Sequence, residues 1–133
     1  MTKIDHIGVV VKSIEDALKV YSGLLGIEPL GYEVVEERGI KVCFIQIGDT
    51  KIELLQPTRD DSEISAYLEK KGEGLHHIAY CVEDLKETMT KAKDLGLRPL
   101  SDEPKPGAHG AIIAFLHPKM TNSVLTELVQ HNH

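Results

Sequence analysis

The sequence lacks several features that mark particular classes of protein. It contains no tryptophan and only two cysteines, and it has no apolar run long enough to cross a bilayer as a helix. The start "MTKIDHIGVVV" lacks the sustained apolar stretch of a secretory signal. We therefore expect a cytoplasmic protein with no membrane partner. Cys43 and Cys81 lie in apolar, strand-like runs, and we interpret both as buried core residues without chemistry.

Basic charge is also scarce. The 15 Lys and Arg residues are outnumbered by 21 Asp and Glu residues, which gives a net charge of -6, and the cations are scattered along the chain. Proteins that bind nucleic acid normally concentrate basic residues on one face, so we expect no nucleic-acid partner. A few local cations would still suffice for a small phosphorylated ligand. The length of 133 residues fits one compact domain over residues 1–133.

An internal repeat runs through most of the chain. The stretch "IDHIGVVVKSIEDALKVYSGLLGIEPL" (4–30) aligns with "LHHIAYCVEDLKETMTKAKDLGLRPL" (75–100). The stretch "KVCFIQIGDTKIELLQ" (41–56) aligns more loosely with "IIAFLHPKMTNSVLTELVQ" (112–130). Because a chain of this length cannot build two independent cores, the repeats are expected to share one. The alignment pairs His6 with His77, Gly26 with Gly96, Phe44 with Phe115 and Glu53 with Glu127.

Each repeat has the pattern of a β-α-β-β-β module. Residues His6–Val11 and His77–Val82 are rich in Ile, Val and Tyr, as strands are. Apolar residues at helical spacing follow, from a cap at Ser13 in the first repeat, and end before Gly26 and Gly96. These apolar positions are Ile14, Ala17, Leu18, Tyr21, Leu24 and Leu25, and in the second repeat Leu85, Met89, Ala92 and Leu95.

We assign module one to residues 1–57, a connecting helix to 58–73 and module two to 74–133. The connecting segment follows Pro57 and carries many charges and a short amphipathic piece. The stretch "SDEPKPGAHGA" (101–111) is rich in Pro and Gly, and we predict a loop that lines a ligand mouth.

Two histidines and two glutamates recur at matching places in both repeats. Strand alternation puts His6 on the same face as Gly8, and His77 on the same face as Ala79, which leaves space beside each imidazole. Glu53 and Glu127 sit among apolar strand residues, and burying a carboxylate requires protonation, an ion pair or a metal ion. We therefore predict that His6, Glu53, His77 and Glu127 bind one divalent ion and leave positions open for substrate.

The alternative to metal binding is that these four residues have only ordinary structural roles. A single histidine at the start of a strand is more often a surface or hydrogen-bonded residue than a ligand, and a single glutamate in a strand commonly points to solvent. We assign that ordinary role to the remaining histidines. These are His76, His109, His117, His131 and His133.

Several motifs together resemble the vicinal oxygen chelate superfamily, which includes glyoxalase I, extradiol dioxygenases and bleomycin-binding proteins. The motifs "IDHIGVVV", "IELLQPT", "GEGLHHIAY", "DEPKPGAHGA", "FLHPK" and "VLTELV" are similar to those of its methylmalonyl-CoA epimerase family. The resemblance implies an α+β fold in which two tandem modules form a curved mixed sheet around a metal site. It also implies a homodimer, an acyl-CoA substrate and a divalent ion held by His6, His77 and Glu127, with Glu53 as the fourth ligand.

The resemblance implies Co2+ as the metal, although Mn2+, Ni2+, Zn2+ and Mg2+ also accept such ligands. The implied reaction is removal and return of the proton at C2 through an enolate that the metal stabilises. Glu127 is our candidate for one base. Some relatives carry the other base where this chain has Val42, so we assign that role to Glu53, with Lys41, Glu36 and Glu37 as weaker candidates. Candidate contacts for coenzyme A are Lys105, Gly107, Gly110 and Lys119.

Two alternatives remain open at this point. One is a different metalloenzyme of the same superfamily, such as a glyoxalase I-like enzyme, which would keep the metal and change the pocket. The other is a metal-free protein that binds a drug. The joint presence of His6, His77 and Glu127 counts against such a binder, which has no need of metal ligands.

Overall fold

In the computed structural model, which describes residues 3–132, the chain forms two compact units. We call His6–His76 the first unit, and the described residues 77–132 together with residues 3–5 the second unit. The single domain expected over residues 1–133 stays a prediction. Within residues 3–132, none of the helices is long and apolar enough to span a membrane.

The first unit contains the strand–helix–strand–strand–strand order predicted for module one. The elements are β1 Ile4–Val10, whose first two residues belong to the second unit, α1 Ile14–Leu18 with a π-helical continuation Lys19–Leu24, β2 Gly31–Val35, β3 Ile40–Ile47, β4 Thr50–Pro57 and α2 Glu63–Lys71. Strand β1 pairs in parallel with β4, and β3 lies antiparallel between β2 and β4, so the strand order is β2-β3-β4-β1. Helix α2 lies within the predicted connecting segment.

The second unit repeats this order. The elements are β5 Gly74–Cys81, whose first three residues belong to the first unit, α3 Leu85–Asp94, β6 Lys105–Pro106, β7 Ile112–Leu116 and β8 Thr126–Gln130. Strands β5 and β8 pair in parallel, β7 is antiparallel to both β8 and β6, and the strand order is β5-β8-β7-β6. The predicted α+β class, with two β-α-β-β-β modules and mixed strand pairing, is confirmed. The stretch 101–111, predicted to be a loop throughout, contains β6 and a short helical turn at Ala108–Gly110.

The first helix of each unit begins in the same way. Ser13 Oγ accepts a hydrogen bond from the Asp16 amide, and Asp84 Oδ1 accepts one from the Glu87 amide. Such side chains satisfy amide groups that the helix itself leaves without partners. A second acceptor comes from the last strand of each unit: Gln56 Oε1 accepts from the Ile14 amide at 2.8 Å. In the second unit, Gln130 Oε1 accepts from the Leu85 amide, also at 2.8 Å. The repeat therefore includes the side-chain hydrogen bond that joins the start of each helix to the last strand of its unit.

The first helix departs from the regular α-helix predicted between Ser13 and Gly26. After Leu18 it widens into the π-helical segment Lys19–Leu24, in which each turn takes more residues than an α-helical turn. This changes the direction in which later side chains point. Leu24 and Leu25, which fit the apolar period of an α-helix, are 77% and 54% exposed.

Each unit packs its helix against one face of its strands. In the first unit, the buried residues of this core are Val11, Ile14, Cys43, Ile45 and Leu54. In the second unit they are Leu85, Met89, Ala92, Ala114, Leu116 and Leu128. Side chains alternate between the faces of a strand, so Glu53 and Glu127, next to Leu54 and Leu128, lie on the faces away from the helices. These two carboxylates therefore do not interrupt the helix-facing cores.

Candidate metal and catalytic site

The first unit brings His6 of β1 against Glu53 of β4. His6 Nδ1 lies 3.1 Å from Glu53 Oε2, and the two residues are 4% and 8% exposed. The parallel register places Gly8 opposite Glu53 on one side, and the antiparallel register places Phe44 opposite it on the other. Because Gly8 has no side chain, the Glu53 carboxylate has room to reach the imidazole two residues away on β1.

The second unit contains the same arrangement from different strands. His77 Nε2 of β5 lies 3.0 Å from Glu127 Oε1 of β8, and these residues are 2% and 3% exposed. Ala79 stands opposite Glu127 on one side and Phe115 on the other. The Phe115 ring also meets His77 edge to face, with the ring centroids 5.8 Å apart. Strand register therefore reproduces the sequence alignment of Phe44 with Phe115 and of Glu53 with Glu127.

The donor sets of both pairs fit a divalent metal ion. Neighbouring ligands of an octahedral ion, each bound at about 2.1 Å, lie about 3 Å apart, which is the separation seen in both pairs. A mixed set of imidazole nitrogen and carboxylate oxygen suits several divalent ions. Burial adds to the argument, since a carboxylate removed from water needs protonation, an ion pair or a metal ion. The structure brings each histidine to its own glutamate, and a single ion bound by all four residues stays a prediction.

The position of Val42 bears on the assignment of the second base. Val42 is 3% exposed in the middle of β3, where it pairs with Glu33 on β2 and with Leu55 on β4. A hydrocarbon side chain cannot transfer a proton, so the base that some relatives are expected to carry here is missing. Within the first unit, Glu53 is a buried carboxylate that already contacts a candidate metal ligand.

The weaker candidates for the second base have other surroundings. Glu36 and Glu37 are exposed in a short helical turn, and their backbone carbonyls accept hydrogen bonds from the Arg59 guanidinium. The Lys41 Nζ atom lies 5.3 Å from the centroid of the Tyr32 ring. Exposed carboxylates are poorly suited to proton transfer in a site that excludes water.

The four candidate contacts for coenzyme A all lie in the second unit. Lys105 and Lys119 are exposed, as contacts for a phosphorylated ligand would need to be. Gly107 donates its amide to the Ala111 carbonyl, and a Cβ atom added there would lie 2.7 Å from Cγ2 of Ile113. The Gly110 carbonyl accepts a hydrogen bond from the Asn132 side chain. Close packing at Gly107 and the positive φ of 73° at Gly110 thus explain part of the glycine pattern, and the role of these four residues in substrate binding stays a prediction.

The two cysteines have different surroundings. Cys43 is fully buried, and burial raises the pKa of its thiol, which favours a neutral, unreactive group. Cys81 is only half-buried, and its Sγ atom lies 3.2 Å from Asp5 Oδ1. The same Asp5 oxygen lies 2.6 Å from His131 Nε2. Sequence reasoning missed this second polar cluster because neither Cys81 nor His131 has a counterpart of the same type in the first repeat.

Comparison with known families gives a match over most of the chain. Residues 5–115 match the model of the Glyoxalase/Bleomycin resistance protein/Dioxygenase superfamily. Among curated proteins, the ethylmalonyl-CoA/methylmalonyl-CoA epimerase of Cereibacter sphaeroides is 42% identical over 130 residues, which cover 96% of this chain and 97% of that protein. The uncharacterized protein YqjC of Bacillus subtilis is 43% identical over 137 residues, which cover 99% of this chain and 98% of that protein.

A solved structure gives the same result. The structure of a methylmalonyl-CoA epimerase in complex with methylmalonyl-CoA and NH4+ superposes with a TM-score of 0.93 at 40% sequence identity, and the match covers 98% of this chain and 94% of the other. The family resemblance seen in the sequence motifs is therefore confirmed.

Proposed function

We propose that this chain, which belongs to the Glyoxalase/Bleomycin resistance protein/Dioxygenase superfamily, is a metal-dependent epimerase that interconverts (2R)- and (2S)-methylmalonyl-CoA. Similarity over nearly the whole length to proteins named epimerases indicates an isomerase. The observation that carries the metal-dependent chemistry is the pair of buried His–Glu contacts, His6 with Glu53 and His77 with Glu127, repeated in the two units.

We propose that His6, Glu53, His77 and Glu127 hold one divalent ion, and Co2+ is our first candidate. When bound, such an ion neutralises the negative charge that develops as C2 of the substrate loses its proton, an effect worth several kcal/mol. Mn2+, Ni2+, Zn2+ and Mg2+ are compatible with the same donors.

The two glutamates supply the proton chemistry. Inversion at C2 requires that a proton leave one face of the planar enolate and that another arrive at the opposite face, so one base on each face is the simplest arrangement. We assign one face to Glu127 and the other to Glu53. Both carboxylates are at most 8% exposed, so exchange of the abstracted proton with bulk water is slowed while the enolate exists.

The remainder of the substrate needs cations for its phosphates. We propose that Lys105 and Lys119 contact the phosphates of coenzyme A, while Gly107 and Gly110 keep the backbone between β6 and β7 close to the ligand. Exposed lysines retain the flexibility to follow a long, charged ligand, and each such contact contributes little energy by itself.

Deuterium exchange tests the reaction and the substrate class together. Protein loaded with Co2+ and incubated with (2R)- or (2S)-methylmalonyl-CoA in deuterated water should introduce deuterium at C2, measured by mass spectrometry, while the other epimer accumulates. Propionyl-CoA is the matched control, because it has the thioester but lacks the carboxylate at C2, and it should exchange far more slowly.

The outcome of this assay separates the proposal from its alternatives. If the metal-loaded protein catalyses no exchange at C2, methylmalonyl-CoA is the wrong substrate, and a glyoxalase I-like activity or drug binding would have to be tested instead. Full activity after complete removal of metal would contradict the metal-dependent mechanism. The homodimer and the cytoplasmic location remain predictions, which light scattering and cell fractionation can check.

A further inference from the structure

A second cluster of potential metal ligands lies in the second unit, outside the residues assigned to epimerisation. It consists of Asp5 at the start of β1, Cys81 at the end of β5 and His131 just after β8. One ligand atom from each of these residues lies within 4.8 Å of the others. The three side chains come from distant parts of the sequence, so their meeting is a property of the folded unit.

The cluster follows the same strand geometry as the His77–Glu127 pair. Cys81 stands four positions after His77, and His131 stands four positions after Glu127. Strands β5 and β8 run parallel, and four residues of strand span about 13 Å, so Cys81 and His131 lie about that far along the strand direction from His77 and Glu127. This distance separates Cys81 and His131 from the His77–Glu127 pair, whereas Asp5 immediately precedes the proposed ligand His6 in the chain.

The distances suit a small tetrahedral ion. With metal–nitrogen and metal–oxygen bonds of about 2.0 Å and a metal–sulfur bond of about 2.3 Å, donors lie about 3.3 to 3.5 Å apart. Cys81 Sγ is already 3.2 Å from Asp5 Oδ1. His131 Nε2 is closer, at 2.6 Å, and its side chain is 39% exposed, so the ring can move outward.

The chemistry of the three donors is complementary. Asp5 is 7% exposed at its side chain and provides a fixed carboxylate, while Cys81 is half-buried and provides sulfur. Three protein ligands and an exposed side leave a fourth position for water, which is the pattern of an open zinc site. Binding requires that Cys81 release its thiol proton to solvent and that the imidazole carry its proton on Nδ1.

We propose that Asp5, Cys81 and His131 form a second divalent-metal site, selective for thiophilic ions such as Zn2+ and Co2+. This site differs from the proposed catalytic site in one measurable respect. Its ligands include a thiolate, whereas His6, Glu53, His77 and Glu127 offer only nitrogen and oxygen. Only the second site can therefore produce a sulfur-to-cobalt charge-transfer band in the near ultraviolet.

Titration with Co2+ tests the proposal on full-length protein that has been reduced and freed of metal. The wild type should develop the sulfur-to-cobalt band as Co2+ is added. Cys81→Ser should abolish the band. Loss of a direct ligand in His131→Ala should weaken Co2+ affinity at this band by more than about 100-fold, because even loss of an outer hydrogen bond costs about 10- to 100-fold.

Matched variants exclude other sources of the signal. Cys43→Ala removes the buried thiol of the first unit and should leave the band unchanged, and so should His117→Ala, which removes an exposed histidine of the second unit. His131→Ala should also retain deuterium exchange at C2, so that failure of this site and failure of the proposed function remain distinguishable. Absence of the band in the wild type, or unchanged affinity in His131→Ala, would overturn the proposal.

Discussion

The two units form the same kind of His–Glu pair with different amounts of regular structure. Both place a histidine on the first strand against a glutamate on the last, and both leave a small residue, Gly8 or Ala79, opposite the glutamate. The surroundings differ: the first unit has a five-residue β2 and a helix that widens after Leu18. In the second unit, the corresponding strand β6 has two residues and the helix α3 is regular. The parallel and antiparallel pairings that flank each glutamate are the features that both units keep.

The largest effect is expected when either histidine of the two His–Glu pairs is replaced. His77→Ala and His6→Ala should each release the divalent ion and lower the rate of C2 exchange by about 1000-fold or more, since the ion is expected to contribute several kcal/mol. Metal content by mass spectrometry of the intact protein and exchange kinetics measure both effects.

His76→Ala is the control for these two variants. Its ring packs edge to face on Tyr67 at a centroid distance of 4.8 Å, and we assign it no role at the metal. The variant should keep its metal and its activity. If His6→Ala alone retained the ion at full affinity, the two pairs would not share one ion, and the proposed equivalence of the units would fail.

Replacing the glutamates tests whether the two pairs act on opposite faces of the substrate. Glu127→Gln and Glu53→Gln should each lower the rate of epimerisation by about 100- to 10,000-fold, because each removes one base. Each variant should still exchange the C2 proton of one epimer, and the two variants should differ in which epimer they exchange. Stereochemically resolved mass spectrometry gives the readout. If Glu53→Gln keeps full activity, Glu53 is not the second base.

A moderate effect on stability is expected for the two strand glutamines that accept hydrogen bonds from the helix amides. Gln130→Ala should lower the free energy of unfolding by about 1 kcal/mol, because the Leu85 amide loses its acceptor. Gln56→Ala should cost less, since the helix that begins at Ile14 has only five α-helical residues to lose, against ten in α3. Urea unfolding followed by circular dichroism measures both values.

The matched control for the glutamines is Gln46→Ala. Gln46 donates to the Gly48 carbonyl at an exposed turn and does not cap a helix, so its replacement should change the free energy of unfolding by less than about 0.5 kcal/mol. A cost as large as that of Gln130→Ala would mean that side-chain loss in general, rather than capping, determines the result.

The smallest effect concerns the lysines of the second unit. Lys105→Ala and Lys119→Ala should each raise KM for methylmalonyl-CoA by about threefold and leave kcat unchanged, because an exposed charge contributes less than about 1 kcal/mol. The increase should shrink at high salt. Lys70→Ala, an exposed lysine on α2 of the first unit, is the control and should leave KM unchanged. Equal changes in all three variants would indicate a general charge effect.

Much of the fold follows from the sequence because the repeat is local and periodic. Strand composition, helical spacing and the glycines that end the helices are all local signals, and they predict both β-α-β-β-β modules. The strands begin earlier than predicted, at Ile4 and Gly74, because the ends of a strand carry a weaker compositional signal than its apolar centre. The widened turn after Leu18 has no comparable local signal. Leu24 and Leu25 are exposed where an apolar period was expected, and so is Leu95 at the end of the regular helix α3.

Sequence alone determined which residue types recur: a histidine near the start and a glutamate near the end of each repeat, set in strands that bury them. Tertiary structure decided which atoms meet, because contact depends on strand register between residues far apart in the chain. It set His6 against Glu53 and His77 against Glu127, and it assembled Asp5, Cys81 and His131. No periodicity along the chain encodes the last group, since its members belong to three separate segments that only folding brings together.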